Sequence, residues 1–142
     1  MNKRFSAQKK MIEDALLMLD HPTAAEVYDT IRKDYPQISL GTVYRNLNTM
    51  ADDGDILRLT LAGSPDRFDP NAYEHYHVVC TQCKHIFDTD EGLPRSLIQD
   101  LDNAVTQCTG LRVTSRYLIF HGVCRDCSDK ADGKNPFAFT QH

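Results

Sequence analysis

The stretch HPTAAEVYDTIRKDYPQISLGTVYRNL, residues 21–47, contains the start signals of two successive helices. Thr23 and Glu26 have the spacing of a capping box, in which each side chain accepts a hydrogen bond from a free N–H group at the helix start. Pro36 interrupts the chain, and Ser39 can cap the helix that follows. Apolar residues recur at helical spacing in both segments, namely Val27, Tyr28 and Ile31, and then Leu40, Val43, Leu47 and Met50. We therefore predict two amphipathic helices separated at Pro36.

The residues on both sides of this stretch complete a larger pattern. Residues 6–19 also carry apolar residues at helical spacing, namely Met11, Ile12, Ala15, Leu16 and Leu19. Downstream, residues 56–61 have the composition of a strand, residues 62–66 of a turn, and residues 67–69 begin a return strand. Three helices followed by a two-stranded ribbon are typical of a winged helix-turn-helix domain, which we place at residues 1–66.

The remaining residues predict a second, smaller α/β domain at residues 67–128, so the fold class is α+β. Its expected elements are a hairpin at 76–80 and 85–88, a helix at 95–108 and a β-rich segment at 111–121. We expect one face of that helix to point inward, with Leu97, Leu101, Val105 and Cys108. Residues 129–142 have the composition of a disordered tail.

Composition and charge limit the classes of function. The chain of 142 residues has 41% hydrophobic and 25% charged residues, as is usual for a soluble globular protein. Its apolar runs are too short to span a membrane, and acidic residues interrupt the apolar part of MNKRFSAQKKMIEDALLML. We therefore expect a cytoplasmic protein without a membrane partner. The net charge of −4 means that any DNA binding needs a local positive patch.

Four of the five cysteines form two CxxC pairs, Cys80 with Cys83 and Cys124 with Cys127. In a reducing cytoplasm such pairs favour metal binding over disulfides. Four thiolates close a tetrahedral shell around Zn²⁺ and leave no position for substrate, so we predict a structural zinc site. The alternative is a redox-active CxxC at a helix N-terminus. We disfavour it because both pairs are predicted at strand ends.

A second set of possible ligands has nitrogen and oxygen donors. If the cysteines complete their own shell, His75 and His77 are available for another ion, and their spacing places both on one side of a strand. Asp88 lies on the partner strand, Asp69 precedes the pair, and His21 begins the second helix. The last three also have ordinary explanations, as a strand end, a turn former and a loop residue. Spacing alone leaves their role open.

Four segments in this order resemble the ferric uptake regulator family of metal-dependent bacterial repressors: HPTAAEVY, ISLGTVYRNLN, DRFDPNAYEHYHVVCTQCKHIFD and GVCRDC. The resemblance runs from about Arg4 to Cys127. It implies a winged-helix domain joined to a dimerisation domain that is braced by a four-cysteine zinc site. It also implies a regulatory ion between the domains, with the ligands His21, Asp69, His75, His77 and Asp88. The expected partners are a second copy of the chain and a palindromic operator in double-stranded DNA, contacted by Thr42, Tyr44, Arg45 and Asn46.

Two positions resemble the peroxide-sensing branch of that family. Asp88 stands where iron-uptake regulators commonly have Glu, and Tyr76 stands where they often have Asp and a third metal site. Histidine and carboxylate ligands suit Fe²⁺ or Mn²⁺. Five such ligands leave one octahedral position open, where peroxide can reach iron. The resemblance therefore implies a repressor that leaves DNA when iron-catalysed oxidation damages His21 or His75.

Two other functions stay open at this point. An iron- or manganese-level sensor of the same fold needs no peroxide chemistry, and Arg45 is more typical of iron-uptake regulators. A metalloenzyme needs a general base, for which Glu74 is the spare carboxylate beside the ligands, but the winged helix would then have no purpose. The chain also departs from the family pattern in having Lys84 where Gly is usual and in beginning without an additional N-terminal helix.

Overall fold

The computed structural model describes residues 3–89 and 93–130, and the chain divides into two compact units, Met1–Glu74 and His75–His142. The predicted tail begins too early, because residues 129 and 130 belong to a helix. The rest of that tail, residues 131–142, lies outside the described residues.

The first unit contains three helices and a two-stranded sheet in the predicted order. The helices are α1 (Lys3–Met18), α2 (Ala24–Ile31) and α3 (Leu40–Asp52), and the strands are β1 (Leu57–Leu59) and β2 (Arg67–Asp69). The strands are antiparallel, with Leu57 opposite Asp69. This arrangement confirms the winged helix-turn-helix. The unit ends later than the predicted boundary between residues 66 and 67, because β2 pairs with β1 and belongs to the same sheet.

Both predicted helix caps are present. The hydroxyl of Thr23 accepts a hydrogen bond from the backbone N–H of Glu26 at 3.2 Å, and the Glu26 carboxylate accepts one from the Thr23 N–H at 3.0 Å. Ser39 accepts from the N–H of Thr42 at 3.1 Å. These contacts satisfy N–H groups that have no partner within the first turn of a helix. They fix the starting points of α2 and α3.

The core of the first unit joins the wing to the helices. Phe68 of β2 is fully buried in the same cluster as residues of α1, α2 and α3. Burying a side chain of this size stabilises a fold by about 1.5–3 kcal/mol. The helical residues with little or no exposure are Ile12, Leu16, Val27, Val43, Leu47 and Met50. Leu40 was expected among them but is 45% exposed, because it is the first residue of α3.

The second unit is a three-stranded sheet with two helices. Its strands are β3 (His77–Cys80), β4 (Ile86–Asp88) and β5 (Ile119–Gly122), and its helices are α4 (Arg95–Thr109) and α5 (Arg125–Lys130). The sheet order is β4-β3-β5, with β3 antiparallel to β4 and parallel to β5. The hairpin and α4 confirm the sequence prediction. Only the end of the predicted β-rich segment is a strand, and α5 was not predicted.

Helix α4 has the predicted length but not the predicted orientation. Leu97 is 53% exposed, and Leu101, Val105 and Cys108 are exposed as well. The expectation that this stripe points inward is therefore wrong, since helical periodicity identifies an apolar face without identifying what covers it. The helix is joined to the segment before β5 by a bidentate ion pair between Arg116 and Asp102, with N–O distances of 2.8 and 2.5 Å. No helix in the described parts of the chain is both long and apolar enough to cross a membrane.

Candidate metal centres

The structure brings the four predicted zinc ligands together. The sulfur atoms of Cys80, Cys83, Cys124 and Cys127 all lie within 4.8 Å of one another. The Sγ atoms of Cys83 and Cys124 are 3.8 Å apart. Zinc–sulfur bonds of about 2.3 Å in a tetrahedron give sulfur–sulfur distances of about 3.8 Å. The spacing and the donor type therefore fit Zn²⁺.

The parallel pairing of β3 and β5 explains why two distant CxxC pairs meet. Cys80, at the end of β3, is paired with Gly122, at the end of β5, so both strands deliver their following residues to one edge of the sheet. The backbone N–H of Thr81 continues the pairing with a hydrogen bond to Gly122 O at 2.8 Å. Cys124 and Cys127 follow directly, at the start of α5. A crossover that includes α4 thus supplies the separation in sequence.

Electrostatics within the cluster favour a bound cation. Backbone N–H groups of Cys124 and Cys83 donate to the Cys80 sulfur at 3.4 and 3.5 Å and hold the pKa of the Cys80 thiol down at about 5. A hydrogen bond to Cys124 and burial raise the pKa of the Cys127 thiol to about 12. One thiolate therefore forms easily, whereas full deprotonation gathers negative charge that a dication compensates.

The prediction that both CxxC pairs lie only at strand ends is wrong for the second pair. The second pair lies at the N-terminus of α5, where the backbone N–H of Ser128 donates to Cys124 O at 2.9 Å, and not only at a strand end as predicted. A helix N-terminus is a feature of redox-active pairs. The convergence of both pairs on one tetrahedral arrangement still favours metal, because a redox pair needs only two sulfur atoms.

The first unit contains a histidine–carboxylate pair. Nε2 of His21 lies 3.3 Å from Oδ2 of Asp69, and both residues are buried. The pair forms because the segment before α2 runs beside β2: the N–H of Phe68 donates to Pro22 O at 2.9 Å, and Nη1 of Arg67 donates to His21 O at 3.2 Å. His21 itself has a left-handed backbone with φ of +47°, which costs a non-glycine residue of order 1 kcal/mol or more. We refer to His21 and Asp69 as half-site A.

The second unit contains a larger group of the same chemistry. Oδ1 of Asp88 lies 3.4 Å from Nε2 of His75 and 3.1 Å from Nε2 of His77. The group follows from strand register, since His77 and Asp88 are directly opposite each other on β3 and β4. Adjacent ligands on bonds of about 2.1 Å are about 3.0 Å apart in an octahedron, so both groups fit coordination of a small dication. We refer to His75, His77 and Asp88 as half-site B.

The candidate DNA-reading surface is smaller than predicted. Tyr44 and Arg45 on α3 are exposed, and Nη2 of Arg45 donates to the half-buried Thr42 hydroxyl at 3.3 Å. Asn46 is only 8% exposed, and its side-chain amide donates to Gln8 Oε1 at 2.9 Å. The prediction that Asn46 faces DNA is therefore wrong. The sequence contained the signal, because Asn46 lies in the i, i+3, i+4, i+7 stripe that begins at Val43.

Comparisons with known proteins identify the family of the chain. The sequence profile of the ferric uptake regulator family matches residues 1–121. The chain belongs to the ferric uptake regulator family. It is 37% identical over 110 residues to the peroxide-responsive repressor PerR of Staphylococcus aureus (strain USA300). The matched residues cover 78% of this chain and 72% of that protein.

Solved structures of the family have the same fold. The Campylobacter jejuni peroxide stress regulator is 28% identical, with a TM-score of 0.71, and the match covers 87% of this chain and 91% of that one. The Helicobacter pylori ferric uptake regulator Fur is 23% identical, with a TM-score of 0.72, and the match covers 90% of this chain and 82% of that one. At 23% identity, the likeness to the Helicobacter pylori protein is evidence for the fold alone.

Two features of this family member were not found by sequence reasoning. Lys84 has a left-handed backbone with φ of +67°, the conformation that glycine adopts without strain. Arg67 joins the His21 carbonyl to the wing, and no role was predicted for its side chain. Backbone conformation at a single residue has no periodic signature in the sequence.

Proposed function

We propose that this member of the ferric uptake regulator family is a cytoplasmic, metal-dependent DNA-binding transcriptional repressor that leaves DNA when peroxide oxidises one of its histidine ligands. The observation that carries the proposal is the pair of histidine–carboxylate half-sites, one in each unit, in which all three histidines are buried. The 37% identity to a peroxide-responsive repressor over most of the chain supports the same function.

The four-thiolate cluster would hold Zn²⁺ as a structural ion. With four protein ligands it leaves no open position, so its role is to join the end of β3, the end of β5 and α5. Its support of the second unit matters because that unit has a small core. Among the described residues of this unit, the buried apolar side chains are Tyr76, Val79, Cys80 and Ile86.

The regulatory ion would be Fe²⁺ or Mn²⁺, shared by both half-sites. Half-site A offers two donors and half-site B three, and a six-coordinate ion needs more than either supplies alone. Imidazole nitrogen and carboxylate oxygen are borderline and hard donors that suit these metals better than thiolates would. Fe²⁺ held by these five ligands would supply the electrons for the reduction of peroxide.

The residues of the half-sites determine where damage falls. The carboxylates of Asp69 and Asp88 are already fully oxidised groups, whereas the imidazole of His21 or His75 would take one oxygen atom from peroxide, which is thereby reduced to water. Both rings are buried, so an oxidant formed beside them meets the ligands before it reaches solvent. An oxidised histidine would be a poorer ligand, so the metal link between the two units would be lost. Mn²⁺ in the same place has a poorer driving force for reducing peroxide and should leave the histidines intact.

DNA binding would be coupled to the metal through the relation of the two units. In a homodimer, an ion that takes ligands from both units favours one spacing of the two α3 helices, and only that spacing matches a palindromic operator. The exposed apolar stripe of α4 supports a homodimer, because stripes of this kind are usually covered by a partner. Thr42, Tyr44 and Arg45 would face the major groove.

The test is operator binding as a function of metal and peroxide. Fluorescence anisotropy with a palindromic operator should show binding with Mn²⁺ or Fe²⁺ and none without added metal. Peroxide should release the iron form alone. His77→Ala should abolish the metal dependence, whereas His85→Ala, which alters a histidine outside both half-sites, should not. Operator binding that is indifferent to both metals would contradict the proposal.

A metal-level sensor of the same fold is the second candidate, and Arg45 on α3 is the residue that favours it. In that case operator binding would follow the iron or manganese concentration, and peroxide would change neither the protein nor its affinity. The metalloenzyme hypothesis gains no support from Glu74, because that residue is exposed whereas the neighbouring histidines are buried.

A further inference from the structure

Asp20, the residue before His21, faces the other side of the His21 ring. Oδ1 of Asp20 lies 2.5 Å from Nδ1 of His21, while Nε2 of the same ring lies 3.3 Å from Oδ2 of Asp69. The two nitrogens therefore meet two different carboxylates, one of which belongs to half-site A. No sequence motif or predicted site includes Asp20.

The shorter of the two contacts favours one position for the ring proton of His21. An ionised carboxylate can only accept hydrogen bonds, so the much shorter contact with Asp20 favours the proton on Nδ1 over Nε2. A neutral imidazole has one N–H group, and its presence on Nδ1 leaves the lone pair on Nε2. That lone pair points towards Asp69, where a metal ligand is needed.

We propose that Asp20 is a positioning residue that holds His21 in the Nδ1–H tautomer and orients its Nε2 lone pair for the regulatory ion. This rests on the proposed function of half-site A. A metal-binding histidine commonly donates its second N–H to a carboxylate, which fixes the tautomer and the rotation of the ring. Arg67 and Phe68 fix the backbone around His21 through hydrogen bonds to main-chain oxygens, whereas Asp20 acts on the side chain.

The exposure of the Asp20 side chain limits how much its removal should weaken metal binding. Loss of such an outer partner typically lowers metal affinity by about 10–100-fold. The Asp20 side chain is 58% exposed, so water screens its charge and the lower end of that range applies. Asp20→Ala should therefore weaken Mn²⁺ binding about tenfold. The fold should persist, because Asp20 is exposed and lies after α1 rather than in the core.

Asp14→Ala is the matched control. Asp14 is an exposed aspartate of α1 that pairs with Lys10 at 2.9 Å, so its removal changes the net charge equally without touching His21. Mn²⁺ affinity, measured by titration of the zinc-loaded protein, should be about tenfold lower in Asp20→Ala than in Asp14→Ala or the unmodified chain. Equal affinity in all three would overturn the proposal.

A second measurement does not depend on the regulatory metal. Long-range ¹H–¹⁵N spectra of the zinc-loaded, manganese-free protein, at a pH where the ring is neutral, report which nitrogen of His21 is protonated. The unmodified chain and Asp14→Ala should show Nδ1–H, and Asp20→Ala should shift towards Nε2–H. An Nε2–H tautomer in the unmodified chain, or no shift in Asp20→Ala, would overturn the proposal. Absence of Mn²⁺ binding in the unmodified chain would contradict the proposed function instead, while the spectra would still decide the role of Asp20.

Discussion

Replacing Cys80 by Ser should weaken zinc binding about a hundredfold, and removal of the weakly held zinc should unfold the second unit while the first unit stays folded. Cys80 is only 1% exposed, and its sulfur accepts hydrogen bonds from the N–H groups of Cys83 and Cys124. A serine hydroxyl at this position stays protonated at neutral pH and cannot replace the thiolate as a zinc ligand. The site would lose its most acidic thiol and its closed shell together.

The magnitude follows from comparing the zinc site with the core. Structural zinc sites of four protein ligands bind with apparent free energies of about 10–16 kcal/mol, so an equal share for each ligand is about 3 kcal/mol. Such a loss corresponds to roughly a hundredfold weaker zinc binding. Fully burying one large apolar side chain contributes about 1.5–3 kcal/mol, and the described part of the second unit buries few: Tyr76, Val79 and Ile86 besides Cys80. The core therefore cannot compensate for the missing ion.

The assay combines metal analysis, thermal unfolding and size-exclusion chromatography. Cys80→Ser should lose its zinc to a chelator that leaves the unmodified chain loaded, and should then lose the dimer and keep an unfolding transition from the first unit, which has its own core. Cys108→Ser is the control, because Cys108 is exposed on α4 and outside the cluster, and it should behave like the unmodified chain. A zinc-free Cys80→Ser protein that remains dimeric and equally stable would refute the reasoning.

The sequence predicted those helices and strands whose signals come from residues only a few positions apart in the chain. The capping box at Thr23 and the cap at Ser39 set the starts of α2 and α3, and alternation predicted β3 and β4 around the first CxxC pair. The grouping of Cys80 with Cys124 was also predictable, because four thiols in two CxxC pairs have few stable arrangements other than one metal site.

What could not be predicted depends on neighbours that are distant in sequence or belong to another chain. The stripe at Leu97 is apolar, but periodicity does not distinguish a face covered by the same chain from one left at its surface. The burial of Asn46 depends on Gln8, 38 residues earlier. Half-site A depends on the pairing of β2 with the segment before α2, which places Asp69 beside His21.

Three further outcomes are expected. Lys84→Gly should leave the protein equally stable or stabilise it by up to about 1 kcal/mol. The reason is that relief of the left-handed backbone strain at Lys84 outweighs or offsets the greater flexibility of glycine in the unfolded chain. A lower melting temperature of the variant would contradict this. Arg45→Ala should weaken operator binding by about 1–3 kcal/mol. Asn46→Ala should instead lower thermal stability without changing base preference, because its side chain is bonded to Gln8. Equal effects of the two variants on operator binding would contradict the assignment of Arg45, and not Asn46, to the DNA-reading surface. Zinc affinity should rise with pH, because binding must displace the proton from Cys127, whose pKa is raised to about 12. Calorimetry near pH 7 should nevertheless detect fewer than four protons released per ion, because the pKa of Cys80 is lowered to about 5.

The central claim is that peroxide acts on a histidine ligand of the regulatory ion. The most direct measurement is mass spectrometry of the peptides that contain His21 and His75, taken from the iron and manganese forms after peroxide, with operator binding followed in the same samples. We expect one added oxygen atom on one of these histidines, together with DNA release, in the iron form only. Release of DNA with both histidines intact and the zinc-binding cysteines oxidised would instead identify a thiol switch and contradict the account.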